Sequence, residues 1–577
     1  MISRYFQQEL AQLRELGEEF ARAHPAVAPM LGGAGADPDV ERLLEGVAFL
    51  TAQIREKIED DFPEIIHELI QLIWPHYLRP IPCTTVIAFK PKPMLKQPLI
   101  IARGAQIASV PVEGTSCLFR TCCDVELHPL HLLEASYIEA AGRPPAVRIL
   151  LELRGMKLAD WAPRTLRLFL GGGYAQSADL YLLLRRSLHR VLLTPAEGGA
   201  SCTLPPDALQ PAGFSPAEAL LPYPPHSFPG YRILQEYFIL PEKFCFLNLN
   251  GWEHWRDRGP GDRFEIVFEL DHTPSPPPRI RREHVVLGAA PAVNLFDHDA
   301  DPIRLDHRTT GYAVRPSGAN TQHYQVYDIQ EVIGVAQGSA RQRVYQPFEV
   351  FSAHGGPVPV YQKVFRPSPV RAGYDVSLSV SYPPGEGLPA PETLSIRLLC
   401  TNGTLPENLR AGDIALPTSR SPEFAEFANI RPPAPNILPP LGSNLLWRLL
   451  GHLSLNYLSL QKPEHLRALL ELYIFPQSRD RRAVLANRKR IEGIQGIHVL
   501  PADRLISGIP MRGRHIILQM RQDHFAGAGD LFLFGCVLDY FLGVYASLNT
   551  FTRIEIEEVL KGERLQWPAR VGDRFLI

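Results

Sequence analysis

Apolar residues recur at helical spacing along the opening of the chain. Phe6, Leu10, Leu13 and Phe20 share one face, widened by Leu16 and Ala21, while Glu9, Gln12, Glu15, Glu18, Glu19 and Arg22 take other positions, the pattern of an amphipathic helix. Pro25 and Pro29 end it. Gly32-Gly33-Ala34-Gly35 then makes a flexible joint before Asp37-Pro38, an N-cap followed by proline at the first helical position. A second helix carries Val40, Leu43, Leu44, Val47, Leu50, Ile54 and Ile58 on its apolar side. A third starts at Asp60-Asp61-Phe62-Pro63 and runs through Ile66, Leu69, Ile70 and Ile73 to Trp74-Pro75. These helices either close on themselves or offer part of their faces to partner helices, and periodicity leaves both readings open.

From Thr84 to about Pro440 the texture changes to short apolar runs bounded by proline and glycine clusters, as in strand-rich domains. Examples are Val86–Phe89, Val147–Leu153, Phe264–Phe268 and Tyr374–Val380; Thr273–Pro278 and Ser381–Gly387 read as loops between strands. Arg431–Pro435, continued to Pro439-Pro440, is dense enough in proline to serve as a semi-rigid linker. Helical spacing then returns in Leu445, Leu446, Leu449, Leu450 and Leu453 and again, after Pro463, in Leu466, Leu469, Leu470 and Leu472. A strand over His515–Met520, a helix from Asp530 and a strand over Phe551–Ile556 complete the chain.

The pattern divides the molecule into a helical bundle over 1–82, β-rich domains over 83–270 and 271–430, and a C-terminal α+β domain over 431–577. The fold class is therefore multi-domain α+β. The most apolar stretch, Leu531–Leu548, carries Asp539 near its middle, so it reads as a buried helix and not as a membrane span.

Composition sharpens this picture in three places. Proline reaches 55 in 577 residues, close to twice the usual share of about 5%, which fits a loop-rich middle of short strands. Lys+Arg 59 against Asp+Glu 61 gives a net charge of -2, so no global field draws the chain to nucleic acid or anionic lipid. The 8 cysteines have no regular spacing, and adjacent Cys122 and Cys123 read as small buried hydrophobes rather than a bridge. The N-terminus alternates charge with apolar residues instead of presenting an export signal, so a cytoplasmic protein is expected.

Enzyme signatures are scarce. No Walker-type phosphate loop, Gly-x-Ser-x-Gly elbow or His-Glu-x-x-His helix occurs, and Gly527-Ala528-Gly529 is only a fragment of a dinucleotide fingerprint. The richest polar constellation runs from Asn294 to His307 and contains Asp297, His298, Asp299, Asp301, Asp306 and His307. Those donors allow a metal-dependent hydrolase as an alternative, but the EF-hand glycine and glutamate positions are not met, and Asp-Pro clusters are ordinary turn formers. Arg479, Arg481, Arg482, Arg488, Lys489 and Arg490 form the one basic run. A phosphate patch, a solvated helix face and a surface for an acidic protein partner all fit it, and without interleaved aromatics it is no stacking platform for single strands.

An ordered set of short motifs carries a resemblance. Tyr5-Phe6, Glu9-Leu10, Leu13-Arg14-Glu15, Asp37-Pro38-Asp39-Val40-Glu41-Arg42-Leu43-Leu44-Glu45-Gly46 and Asp60-Asp61-Phe62-Pro63-Glu64 are followed by Pro75-His76-Tyr77-Leu78-Arg79-Pro80. Pro291–Phe296, Pro302–Asp306, Cys400-Thr401-Asn402-Gly403 and Phe534–Leu538 continue it to Ser547–Phe551. Together these closely resemble the TssF family, type VI secretion baseplate subunits also called ImpG or VasA. Cys83 and Cys400 stand at small-residue positions of that pattern, where a buried thiol is nearly isosteric.

The resemblance implies a non-enzymatic cytoplasmic scaffold similar to wedge proteins of contractile phage baseplates, without cofactor, nucleic acid or direct membrane insertion. It also implies two copies pairing with one TssG through a shared helical core bundle. The wedge would join TssE, the TssK trimers that reach the inner-membrane complex, the VgrG spike and neighbouring TssF copies. Interface candidates are then Phe6, Leu10, Leu13, Leu44, Val47 and Ile54, with Arg481, Arg482 and Arg488 on the basic run.

Overall fold

The structure, a computed structural model, describes residues 6, 10, 11, 13, 14, 39–53, 75–223, 228–318, 320–336, 342–348, 358–368, 373–383, 391–441, 462–475, 478–506 and 508–572. The expected third helix and the helix around Leu445–Leu453 lie outside these residues. The chain forms two compact units, Met1–Leu78 with Pro440–Leu450, and Arg79–Pro439 with Gly451–Ile577. In the first unit, residues 39–53 are helical (α1). Arg14 donates from Nη2 to Glu41 Oε1 at 2.7 Å, joining α1 to the preceding helical residues.

The second unit holds helices α2 (Tyr174–Arg186), α3 (Pro229–Ile239), α4 (Pro463–Glu471), α5 (Arg481–Glu492) and α6 (Ala528–Gly543). Its strands fall where alternation places them: Thr84–Pro91, Ala146–Leu153, Arg263–Leu270 and Tyr374–Ser381 contain the four expected runs. Ala146–Leu153 alternates nearly perfectly between buried and half-buried residues, as a strand with one face on a core must.

The strands assemble across long sequence distances. A six-stranded antiparallel sheet runs in the order Leu416–Pro417, Gln106–Val112, Thr115–Thr121, Ala289–Val293, Thr84–Pro91, Ala425–Asn429. Ile87, Phe89, Ile107, Phe119, Ala290 and Ile414 fill its core. This sheet takes strands from both sides of residue 270, so the boundary expected there runs through a shared core. A five-stranded sheet centred on Arg263–Leu270 and a four-stranded sheet centred on Phe246–Leu249 and Leu166–Leu170 follow. Trp161 packs on Trp252 and Phe264, at centroid distances of 5.0 and 5.2 Å. An eight-stranded sheet is built around Glu392–Thr401 and Gln325–Ala336.

The proline-rich stretch is no free spacer. The Ala434 amide donates to Thr84 O at 2.7 Å and Ile437 bridges Ile81, so 431–437 is laid along the first strand. Proline serves here by presetting an extended backbone that packs, with the remaining donors paired.

In the C-terminal part, Ile509–Met520 and Thr550–Glu558 pair in parallel, which requires a crossover connection. Helix α6 is that crossover. Nearly every residue of it is buried, Asp530 and Asp539 included, because it packs against the Thr550–Glu558 strand and also against α2 and α3. A helix enclosed on all sides reads as a continuous apolar run. No described helix is long and apolar enough to cross a membrane. Gly529 permits the close approach, because a Cβ there would collide with the Ala178 backbone. The Gly527-Ala528-Gly529 fragment is thus accounted for by helix packing.

Candidate functional site

Helix α1 leaves its large apolar side chains Leu43, Val47, Phe49 and Leu50 exposed. With successive residues turned by about 100°, Ala48 and Ala52 form the buried side, with Val40, Leu44 and Thr51 half-buried beside them. Directly adjacent, Leu43, Val47 and Leu50 project into solvent at 69%, 43% and 60% exposure, and Phe49 is exposed on a further side. The sequence placed Leu43, Leu44, Val47 and Leu50 in one stripe; the structure divides that stripe into a covered half lined by alanines and an open half of large side chains. Phe6, Leu10 and Leu13 are half-buried. Ile54 lies outside the described residues.

The polar constellation separates along its strand. Asn294 is fully buried and belongs to the core: its side chain donates to Leu118 O (2.8 Å) and Asn402 Oδ1 (2.9 Å) and accepts from Thr401 Oγ1 and the Asn402 amide (2.7 Å each). Asp297, His298 and Asp299 lie on Phe296–Asp299, where successive side chains point to opposite faces. Asp297 meets Arg420 at 3.1 Å. His298 donates from Nε2 to Ser317 O at 2.8 Å and stacks on Tyr324 at 4.8 Å. Asp306 accepts from the Arg308 amide and the Tyr312 hydroxyl, and that amide holds its carboxyl below the ordinary aspartate value. His307 lies edge-on to Tyr382. Among the described residues no group of three histidine, cysteine or acidic side chains converges as metal ligands would.

A cavity of about 450 Å³ lies where sheet edges meet, lined by Phe89, Leu127, Leu132, Val286 and Leu287 with His128 and Glu126. Burial pushes the His128 pKa down to about 4, so its imidazole is neutral at physiological pH. Nδ1 accepts from Trp161 Nε1 at 3.2 Å, and Nε2 lies 3.7 Å from Glu126. This His128 is engaged in packing the tryptophan core.

The basic run splits by depth. Arg479 pairs with Glu407 at 2.8 Å. Arg490 is buried against Asp530, whose carboxylate also accepts from Tyr174 (2.7 Å), Tyr237 (3.3 Å) and the Ala526 amide (3.0 Å). Arg481, Arg482, Arg488 and Lys489 are exposed on α5. A second buried network was not singled out from sequence. Glu236 is fully enclosed and pairs with Lys243 and with Arg232 (3.0 Å), while its Oε1 accepts from the Leu220 amide at 2.8 Å. The Glu236/Arg232 spacing of four on a helix was the one available signal.

With these surfaces described, the comparisons decide the family. The family model described as "Type VI secretion system, TssF" matches residues 1–574. The chain belongs to the TssF family. Type VI secretion system component TssF1 of Pseudomonas aeruginosa strain PAO1 is 31% identical, over 99% of this chain and 98% of its own. A solved TssK-TssF-TssG baseplate subcomplex of the type VI secretion system contains a chain that is 27% identical with a TM-score of 0.77, covering 92% of this chain and 98% of that one. A chain of a solved type VI secretion system baseplate complex is 26% identical with a TM-score of 0.63, each chain covered in full. This TssF-family chain is thus similar throughout its length to baseplate structural subunits.

Proposed function

We propose that this chain is a non-enzymatic structural subunit of the type VI secretion baseplate wedge. Two copies join one TssG, and the wedge engages TssK, TssE, the VgrG spike and neighbouring wedges. It sits in the cytoplasm, docked at the inner membrane through the baseplate and membrane complex, where it nucleates the contractile tail and switches on sheath contraction. The observation that carries this reading is the whole-length likeness to a chain solved within a TssK-TssF-TssG subcomplex. The open half of α1 supports it, because large apolar side chains exposed in a contiguous arc mark a protein contact. The hydrolase alternative rests on Asp297–His307, whose acidic and imidazole side chains do not converge as a metal-ligand group among the described residues.

Replacing Val47 and Leu50 together by aspartate tests the helix face. Both are exposed, so the variant should fold and elute like the parent chain, yet co-expressed TssG should no longer co-purify with it. A Leu416→Asp variant, at another exposed apolar position, should retain TssG. Undiminished co-purification of the Val47/Leu50 variant would remove α1 from the interface.

A further inference from the structure

The outer face of α5 has a composition that its own fold does not use. Projected down the axis at 3.6 residues per turn, the buried side chains Asn487, Arg490 and Ile491 cluster on one side of the helix. Arg488, Arg481, Glu492, Leu485, Lys489 and Arg482 fall, in that order, across the opposite arc. Leu485 lies at its centre and is 63% exposed. Among the described residues, Arg481, Arg482, Arg488 and Lys489 make no side-chain hydrogen bond or ion pair; the Asp480 carboxylate is turned to cap the Ala483 amide at 3.0 Å.

Two further features separate this face from an ordinary solvated one. Arg481 and Arg482 occupy the first turn, which carries no acidic residue, so they oppose the helix dipole where carboxylates would be favoured. Solvated helix faces also usually interleave opposite charges, whereas this arc sets four cations against one carboxylate, Glu492 at the last position of the helix, around one large apolar side chain. The opposite side of the helix is anchored through Arg490 to Asp530 at 3.0 Å, which holds the cations on a fixed platform. Local preferences sacrificed without a packing gain mark a functional surface.

We infer that this face of α5 docks an acidic segment of a partner protein, with Leu485 as the apolar anchor and Arg481, Arg482, Arg488 and Lys489 pairing with its carboxylates. Charge complementarity selects the partner: four unpaired cations outnumber the single carboxylate, Glu492, around one apolar side chain. A single leucine is too little apolar surface to seat a helix in a lipid interface, and no aromatic side chain stands among the cations to stack bases. The inference does not depend on the wedge reading, since it rests on α5 alone.

The test uses the full-length chain and three probes: a fluorescent peptide of glutamates with regularly spaced leucines, vesicles of phosphatidylglycerol and phosphatidylcholine, and a single-stranded DNA oligonucleotide. The peptide should bind best, and added salt should weaken it. Arg482→Glu with Arg488→Glu should reduce peptide affinity about tenfold or more, while lysine at both positions should keep most of it. Leu485→Ser should weaken binding several-fold without changing the salt dependence. Equal peptide affinity in the parent and the glutamate variant would overturn the inference, as would tighter binding of vesicles or DNA through the same arginines. An unaffected Leu485→Ser variant would overturn it too, since the surface would then be a plain cation patch.

Discussion

Asp530→Ala is expected to loosen helix α6 from the body by about 3–5 kcal/mol, the cost of removing one partner of a buried ion pair. Asp530 is buried and gathers four donors from separate parts of the second unit: Arg490 of α5, Tyr174 of α2, Tyr237 of α3 and the Ala526 amide. The Arg490 guanidinium lies 5.4 Å from the Tyr174 ring centroid and 5.9 Å from that of Tyr237. Without the carboxylate, a buried cation and two buried hydroxyls lose their common acceptor. Hydrogen exchange of the α6 amides should accelerate about a hundred- to a thousand-fold. Asp530→Asn keeps the shape and should fall between the two. An exchange rate unchanged in Asp530→Ala would mean that α6 is held by apolar packing alone.

Glu236→Gln is expected to destabilise the second unit by a similar amount, about 3–5 kcal/mol, and to change its response to pH. Glu236 stands between Lys243 and Arg232, and Lys243 also donates to Gly213 O at 2.7 Å. Gly213 has φ +93 and leaves no room for a side chain, since a Cβ would collide with Lys243 O. Burial already holds the Lys243 ammonium below its ordinary pKa, while Glu236 pulls it back up. Neutralising Glu236 removes that restoring field, so the folded-state pKa drops further below the unfolded value. The unfolded chain then binds the extra proton, and stability rises with pH toward the ordinary lysine pKa. Thermal unfolding of Glu236→Gln should therefore shift upward from neutral to alkaline pH more steeply than in the parent chain. A parallel pH response in both proteins would contradict the assignment of Glu236 as the counterion.

These two networks mark where sequence reading stopped. The strands were legible because a half-buried strand must alternate, as Ala146–Leu153 does. Helix α6 was legible as buried because Asp539 is too costly for a membrane centre; in the fold, burial raises that carboxyl to about 6 and Arg570 opposes the rise. Strand partners were not legible, since periodicity specifies an element and says nothing about its neighbour: Thr84–Pro91 pairs with strands about two hundred and more than three hundred positions away. For the same reason the proline-rich 431–437 read as a linker although it lies along that strand.

Within the basic run, depth was hidden by charge. Arg490 and Arg488 look alike in sequence, but residues two positions apart on a helix point to nearly opposite sides, which puts one against Asp530 and the other in solvent. A helical projection with Ile491 as the buried reference would have separated them. On α1 the apolar arc itself was legible; that only its alanine half is covered was not, because coverage depends on elements elsewhere in the chain. The TssF likeness was legible in short motifs because they recur in order along the whole length.

The most direct test of the wedge account is native mass spectrometry of this chain co-expressed with the TssG of its own system. The account predicts a stable complex of two copies of this chain with one TssG, and little ring formation by this chain alone. A monomer that leaves TssG unbound, or a complex of equal numbers, would contradict it.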